Sequence, residues 1–387
     1  MRLSFALLLG ITASAPGAAV GEPVAVQARA HRAFRPVRSP EVRPDGSVTF
    51  RFRAPDAKTV SLLREGRAPE RMKAGEDGVW SFSTAPLAPG YYVYSFLAGD
   101  VPLADPSNEQ STEVVVGGHE SLLHVPGPAT LPWEARDLPH GTLHRHAYTS
   151  AAIGEARSYW VYTPPGFEAA GAKRYPLLYL LHGVMNTATA WLTAGRADVI
   201  LDNLIAEGRA KPMIVVFPAG YGFANAPDQI GELFTAATDQ RKVLEVFTIT
   251  LLEEIGPQVE RAYPVEPGRE ARAIAGLSMG GAQALYVGLN HPDRFAWIGA
   301  FSAAVPLFAA GYGACFPAPG TGAKPRLLWL SVGREDFLLA PNRHLGAWLR
   351  SKGLTVTAVE NPGLHEWPVW HRDLAAFAPL LFQAQAN

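Results

Sequence analysis

Cys315 is the only cysteine in a chain of 387 residues. That excludes an intramolecular disulfide and any multi-cysteine zinc or iron–sulfur centre. Its loop offers it no base by motif, so it reads as a small buried residue. Charge of one sign is also missing. Lys and Arg total 34 against 35 Asp and Glu, for a formal net charge of -1, whereas a nucleic-acid binder usually carries a basic surplus. No histidine–glutamate cluster has metal-ligand spacing, because His365-Glu366 lacks the second histidine of H-E-x-x-H. No metal or other cofactor is therefore expected. Past the N-terminal leader no apolar run reaches the roughly 20 residues that span a bilayer, and neither a membrane nor a nucleic-acid partner is expected. Apolar residues make up 48% of the chain and charged ones 18%, a globular balance with enough length for two or three domains.

The leader itself is informative. Met1-Arg2 is followed by an apolar run from Leu3 to Ala13, then by small residues at Ala13-Ser14-Ala15 and Gly17-Ala18-Ala19. Residues 1–19 therefore read as a secretory signal peptide, and the mature protein as soluble and periplasmic or extracellular. Residues 20–40 are Ala-, Arg- and Pro-rich without periodicity and read as an arm. Residues 41–117 hold short strands between Pro/Gly turns, such as Val48 to Arg53 with period two and the aromatic run Gly90 to Phe96. Such spacing predicts an all-β sandwich of immunoglobulin-like shape. Its aromatics Trp80, Tyr91, Tyr92 and Tyr94 are expected to be half core. Residues 118–141 carry Pro126, Pro128, Pro132 and Pro139 and read as a linker, so a chain starting near Gly141 is expected to fold alone. From 142 to 387 apolar strands alternate with amphipathic helices, which predicts an α/β domain with a mostly parallel sheet.

The chemistry concentrates in Gly276-Leu-Ser278-Met-Gly280-Gly281. It fits G-x-S-x-G between a strand and a helix, the context of a nucleophile elbow. A serine nucleophile needs a base, and in this arrangement the acid and then the histidine follow the serine in the chain. Four histidines do so. His291 reads as structural and His344 as helical and exposed. His365 lies in a loop beyond a strand, where catalytic groups collect, and His371, at the start of the last helix, is the runner-up. Asp336 and Glu335 both qualify as the acid. Asp336, next to Phe337-Leu-Leu339, suits burial better than Glu335 beside Arg334. Two backbone N–H groups are needed for the oxyanion. These are Met279 and, from the loop Leu180-Leu-His182-Gly183-Val184, either Val184 or Gly183. His182 shapes that loop and is a candidate substrate contact. Trp367 and Trp370, close behind His365, are candidates for stacking on an aromatic acyl group or a sugar.

These pieces carry a resemblance. Trp160 to Phe167, Leu180 to Gly183, Gly195 to Gly208, Ala275 to Gly281, Gly333 to Phe337 and His365 to Trp370 lie in the order found in the esterase D-like α/β-hydrolases of carbohydrate esterase family one. The segment Tyr159–Phe382 resembles that family, which includes feruloyl and acetylxylan esterases, and 41–117 resembles the early-set domain often fused ahead of them. The resemblance implies an α/β-hydrolase fold with Ser278 as nucleophile, Asp336 as acid and His365 as base. It also implies a polysaccharide-linked ester as the partner, most plainly a feruloyl or acetyl ester on plant-cell-wall xylan. The sequence departs from the family at Val184-Met-Asn-Thr, where a glycine-rich run is frequent, and at Gly363-Leu-His365, where Gly-Gly-His is usual. Siderophore-ester hydrolysis and a non-catalytic carbohydrate-binding role are the alternatives, the second opposed by the intact Ser278, Asp336 and His365.

Overall fold

The computed structural model describes residues 37–383 except 117, 171, 236–238, 309, 317, 318, 320 and 321. The leader and most of the arm lie outside the described residues. The residues from Val37 onward belong to one compact unit.

Alternation of apolar and polar residues puts one face of each early strand inward. Val48–Arg53 pairs antiparallel with Val79–Ser83 in one sheet. Gly90–Ala98 pairs antiparallel with Val60–Arg64 and His119–Val125 in a second. Phe50, Phe52 and Trp80 from the first sheet meet Leu62, Tyr94 and Phe96 from the second in one apolar core, with the Phe50 and Tyr94 rings 4.8 Å apart. Burial of Trp80, Tyr91 and Tyr94 leaves them no open face for a sugar.

The stretch read as a linker opens on a strand, His119–Val125, and its later part is packed. Trp133 and Glu134 are buried, and the Glu134 carboxylate holds His124 Nε2 and the Gly127 N–H, each at 3.1 Å. The prolines stop the strand without freeing the chain.

The larger sheet has eight strands: β1 (Thr142–Ser150), β2 (Glu155–Thr163), β3 (Leu177–Leu181), β4 (Ile214–Pro218), β5 (Arg272–Leu277), β6 (Trp297–Phe301), β7 (Leu327–Gly333) and β8 (Thr357–Asn361), in the order β1-β2-β4-β3-β5-β6-β7-β8. β1 and β2 are antiparallel at one edge and the others run parallel. Strands β3, β4 and β6 are buried at every position, as expected of strands covered on both faces. The covering helices include α1 (Ala197–Ala206), α2 (Gln240–Ile249), α3 (Met279–Asn290), α4 (Leu339–Ser351) and α5 (Trp367–Phe377). This is the α/β-hydrolase architecture.

Tyr91, Val93, Leu122 and Trp133 share one apolar cluster with Trp191, Ile200, Trp367 and Leu374. The outer flank of the sandwich is thus continuous with the core beneath α1 and α5. The Trp133 and His371 rings stack at 5.6 Å, and the Arg196 guanidinium lies 5.1 Å from the centre of the Tyr91 ring. The expectation that residues from Gly141 onward fold alone did not anticipate this shared core.

Candidate active site

Ser278 sits between β5 and α3 at φ 51° and ψ -115°, a backbone conformation that L residues rarely hold without surrounding support. The glycines around it make that turn possible. A Cβ on Gly276 would lie 2.5 Å from the Gly280 carbonyl carbon, and one on Gly280 would lie 2.5 Å from Leu181 O. Strand, helix and the end of β3 therefore approach to a distance only glycine permits. The backbone of Ser278 is fixed from its neighbours: its N–H donates to Phe301 O and its carbonyl accepts from Ala304 N, both at 2.8 Å.

Parallel register brings the ends of β5, β6 and β7 level, with Leu277 opposite Phe301 and Phe301 opposite Ser331. Asp336 follows β7 and His365 follows β8. His365 Nδ1 lies 2.9 Å from Asp336 Oδ2, and the carboxylate side chain has no exposure. With Nδ1–H donating its hydrogen bond to Asp336, Nε2 is left to accept a proton. Burial alone would push the Asp336 carboxyl up. The hydrogen bond and charge of His365, the Leu338 N–H and the Ser302 hydroxyl outweigh it and hold the group below its ordinary value. Glu335, the other carboxylate considered, instead accepts from Gly363 N at 2.6 Å.

Met279 opens α3 and is buried, so its N–H belongs to the unpaired first turn of the helix. A Cβ on Gly183 would stand 3.4 Å from Ser278 Cβ, which puts the loop carrying Val184 against the serine. That loop is pinned from outside. Met185 O accepts from Val115 N at 2.8 Å, and Asn186 O accepts from the Tyr221 hydroxyl at 2.8 Å. His182 is a tie within it. Its Nδ1 lies 2.7 Å from Gly183 O, and its Nε2 accepts the Gly220 N–H at 2.8 Å. Burial drives its pKa down to about 4. Both ring nitrogens are used, so His182 is not a substrate contact.

Trp367 and Trp370 are also corrected. They are 0% and 2% exposed and pack edge to face at 5.2 Å. Trp370 packs perpendicular to His365, ring centres 5.0 Å apart, and donates Nε1–H to Ser302 Oγ at 3.3 Å. It supports the histidine from behind and presents no ring to substrate. The runner-up histidine, His371, is fully buried, with Nε2 2.8 Å from Ala194 O. Burial lowers its pKa to about 3.

That burial carries a pH prediction. A histidine in the unfolded chain protonates near pH ~6.5, while folded His371 stays neutral down to about 3. Its contribution to stability is therefore present above ~6.5 and is lost as pH falls between the two values, by about 2 kcal/mol at pH 5. His371→Gln lacks this term. The stability gap between wild type and variant, read from urea midpoints, should narrow by about 2 kcal/mol from pH 7 to pH 5. A gap independent of pH would show that the imidazole is not held neutral.

Several contributors had no signal in the sequence. Ser302 is buried at φ 48° and joins Trp370 to Asp336. Asp373 accepts from Asn361 Nδ2 at 2.6 Å, and burial pushes its carboxyl up to about 7. From the sandwich, the turn after Val60–Arg64 reaches the histidine loop. A Cβ on Gly66 would lie 2.9 Å from Leu364 Cβ and 3.2 Å from His365 O. Beside it, the buried Glu65 carboxylate lies close to the Trp367 backbone at the start of α5, and burial raises its pKa well above the ordinary carboxylate value. A cleft of about 570 Å³ opens next to the Val184 loop, lined among others by Glu113, Arg157, Trp160, Thr187 and Tyr221. Among the described residues no group of three or more His, Cys, Asp or Glu side chains could hold a metal ion.

The chain is similar to several known proteins. The chain is 29% identical over 355 residues to an endo-1,4-beta-xylanase/feruloyl esterase of Xylanibacter ruminicola, covering 89% of this chain and 46% of that relative's length. A ferulic acid esterase structure from Anaeromyces mucronatus matches with a TM-score of 0.56 at 24% identity, covering 66% of this chain and 96% of that one. An enterochelin esterase structure from Shigella flexneri matches with a TM-score of 0.64 at 20% identity, covering 87% and 94%. At these identities the two structures show a common fold. The model of the family described as "Putative esterase" matches residues 150–381, and the chain belongs to that family.

Proposed function

We propose that the protein is a secreted serine esterase whose substrates are feruloyl or acetyl esters carried on a xylan-type polysaccharide. The observation that carries the reading is the strained Ser278 elbow at the carboxyl ends of the parallel strands, the same end of the sheet as the His365–Asp336 pair, whose Nδ1 and Oδ2 atoms are 2.9 Å apart. In this reading Ser278 Oγ attacks the ester carbonyl while His365 Nε2 takes its proton. The tetrahedral oxyanion is held by the N–H groups of Met279 and Val184. His365 then returns the proton to the departing alcohol, and water enters by the same route to release the acid. Asp336 fixes the tautomer and favours the imidazolium that forms in between.

The polysaccharide assignment draws support from the relative that joins a xylanase to a feruloyl esterase, and secretion draws support from the leader pattern of residues 1–19. The enterochelin esterase from Shigella flexneri supports a second reading. Its likeness covers 87% of this chain, so it extends over the sandwich as well as the catalytic part, and a siderophore ester is the competing substrate. Methyl ferulate, acetylated xylan and a catecholate trilactone, assayed side by side, separate the readings. Turnover of either of the first two with none of the third supports the cell-wall assignment, and the reverse pattern replaces it.

A further inference from the structure

One large apolar side chain stands exposed beside the candidate triad, Phe337 at 73% exposure. Isolated exposed apolar residues are ordinary, but Phe337 touches the base. Its ring centre lies 4.9 Å from that of His365, tilted by 48°, while the buried Trp370 supports the same imidazole from another side at 5.0 Å. The backbone under Phe337 is fixed. Leu338 N–H donates to Asp336 Oδ1 at 2.8 Å and Leu339 N–H to Asp336 O at 3.0 Å, so the turn that seats the acid also aims the phenyl ring outward.

The reaction decides which half of the substrate meets it. A base that gives its proton to the leaving oxygen must lie within hydrogen-bond reach of that oxygen. The alcohol half therefore passes beside His365, and the acyl carbonyl oxygen lies toward Met279 and Val184. We propose that Phe337 is a specificity-determining residue that binds the alcohol half of the ester, stacking a ring-shaped alcohol, the CH face of a pyranose or a phenol, on its exposed face. This rests on the serine-esterase reading above.

The test compares Phe337→Ala and Phe337→Trp with wild type on acetate esters that differ only in the alcohol: methyl acetate, phenyl acetate and a mono-acetylated methyl xyloside. In Phe337→Ala the kcat/KM ratio of a ring ester to methyl acetate should fall about two- to tenfold, the scale of one stacking contact, and Phe337→Trp should restore it. A fall for the xyloside identifies a sugar, and a fall for phenyl acetate alone identifies a phenol. Equal losses on all three acetates would overturn the proposal, leaving the ring as a support for His365. A shift in the ratio of methyl ferulate to methyl acetate with none among the acetates would also overturn it, because the ring would then serve the acyl side. Wild type inactive on every ester would instead remove the esterase reading itself.

Discussion

Ser278→Ala will lower kcat by about 10⁶-fold, the scale seen when the nucleophile of a serine protease triad is removed, while the protein still folds. The contacts that hold the elbow are made by the Ser278 backbone, to Phe301 O and Ala304 N, and none of them uses the hydroxyl. The φ of 51° costs alanine and serine alike, so the substitution adds no new strain. The remaining activity would come from substrate binding and the oxyanion donors alone. Circular dichroism establishes the fold, initial rates on a short-chain ester give the loss, and a fluorophosphonate probe that labels wild type should leave the variant unlabelled. Near-wild-type turnover would remove Ser278 from the reaction.

A chain beginning at Gly141 should be insoluble or inactive. It retains Ser278, Asp336 and His365 but loses Tyr91, Val93, Leu122 and Trp133, which share a core with Trp367 and Leu374. Burying a large apolar side chain is worth about 1.5–3 kcal/mol, so four of them approach the whole stability of about 5–15 kcal/mol of a typical domain. Two loops also lose their braces: the His365 loop loses Gly66 and Glu65, and the Val184 loop loses the bond from Val115 to Met185. Size-exclusion chromatography and turnover of a small soluble ester check this. A monomeric truncated chain with undiminished kcat would show the sandwich to be dispensable for chemistry.

What could be read from the sequence was local. Gly276 and Gly280 leave room for the tight turn at Ser278 that a Cβ would block, and Asp336 and His365 stand out by their position after strands. Asp336 is buried as expected, but not by the whole apolar run that follows it. Leu338 is buried while Phe337 stands 73% exposed, and the cover over the acid pair comes from Trp370 and Ser302. Nearness in sequence misled at Trp367 and Trp370. Three residues apart on one helix, they share a face, and that face packs inward. His182 holds the loop it was expected to shape, but both its partners, Gly183 O and Gly220 N, are backbone groups with no signature of their own, so its exact contacts could not be read. The grip of the sandwich on the catalytic loops joins residues far apart in the chain, which no local pattern records.

That grip also bears on how the protein reaches its active form. The strand bearing Tyr91 and Val93 is synthesised long before α5, which covers it. Until α5 emerges, the flank of the sandwich remains wet and available to other chains, a state prone to aggregation. Seating His365 then waits on contacts between distant parts of the chain, the slow class of folding event. Appearance of activity during refolding should accordingly lag behind formation of the sandwich and report the last docking step.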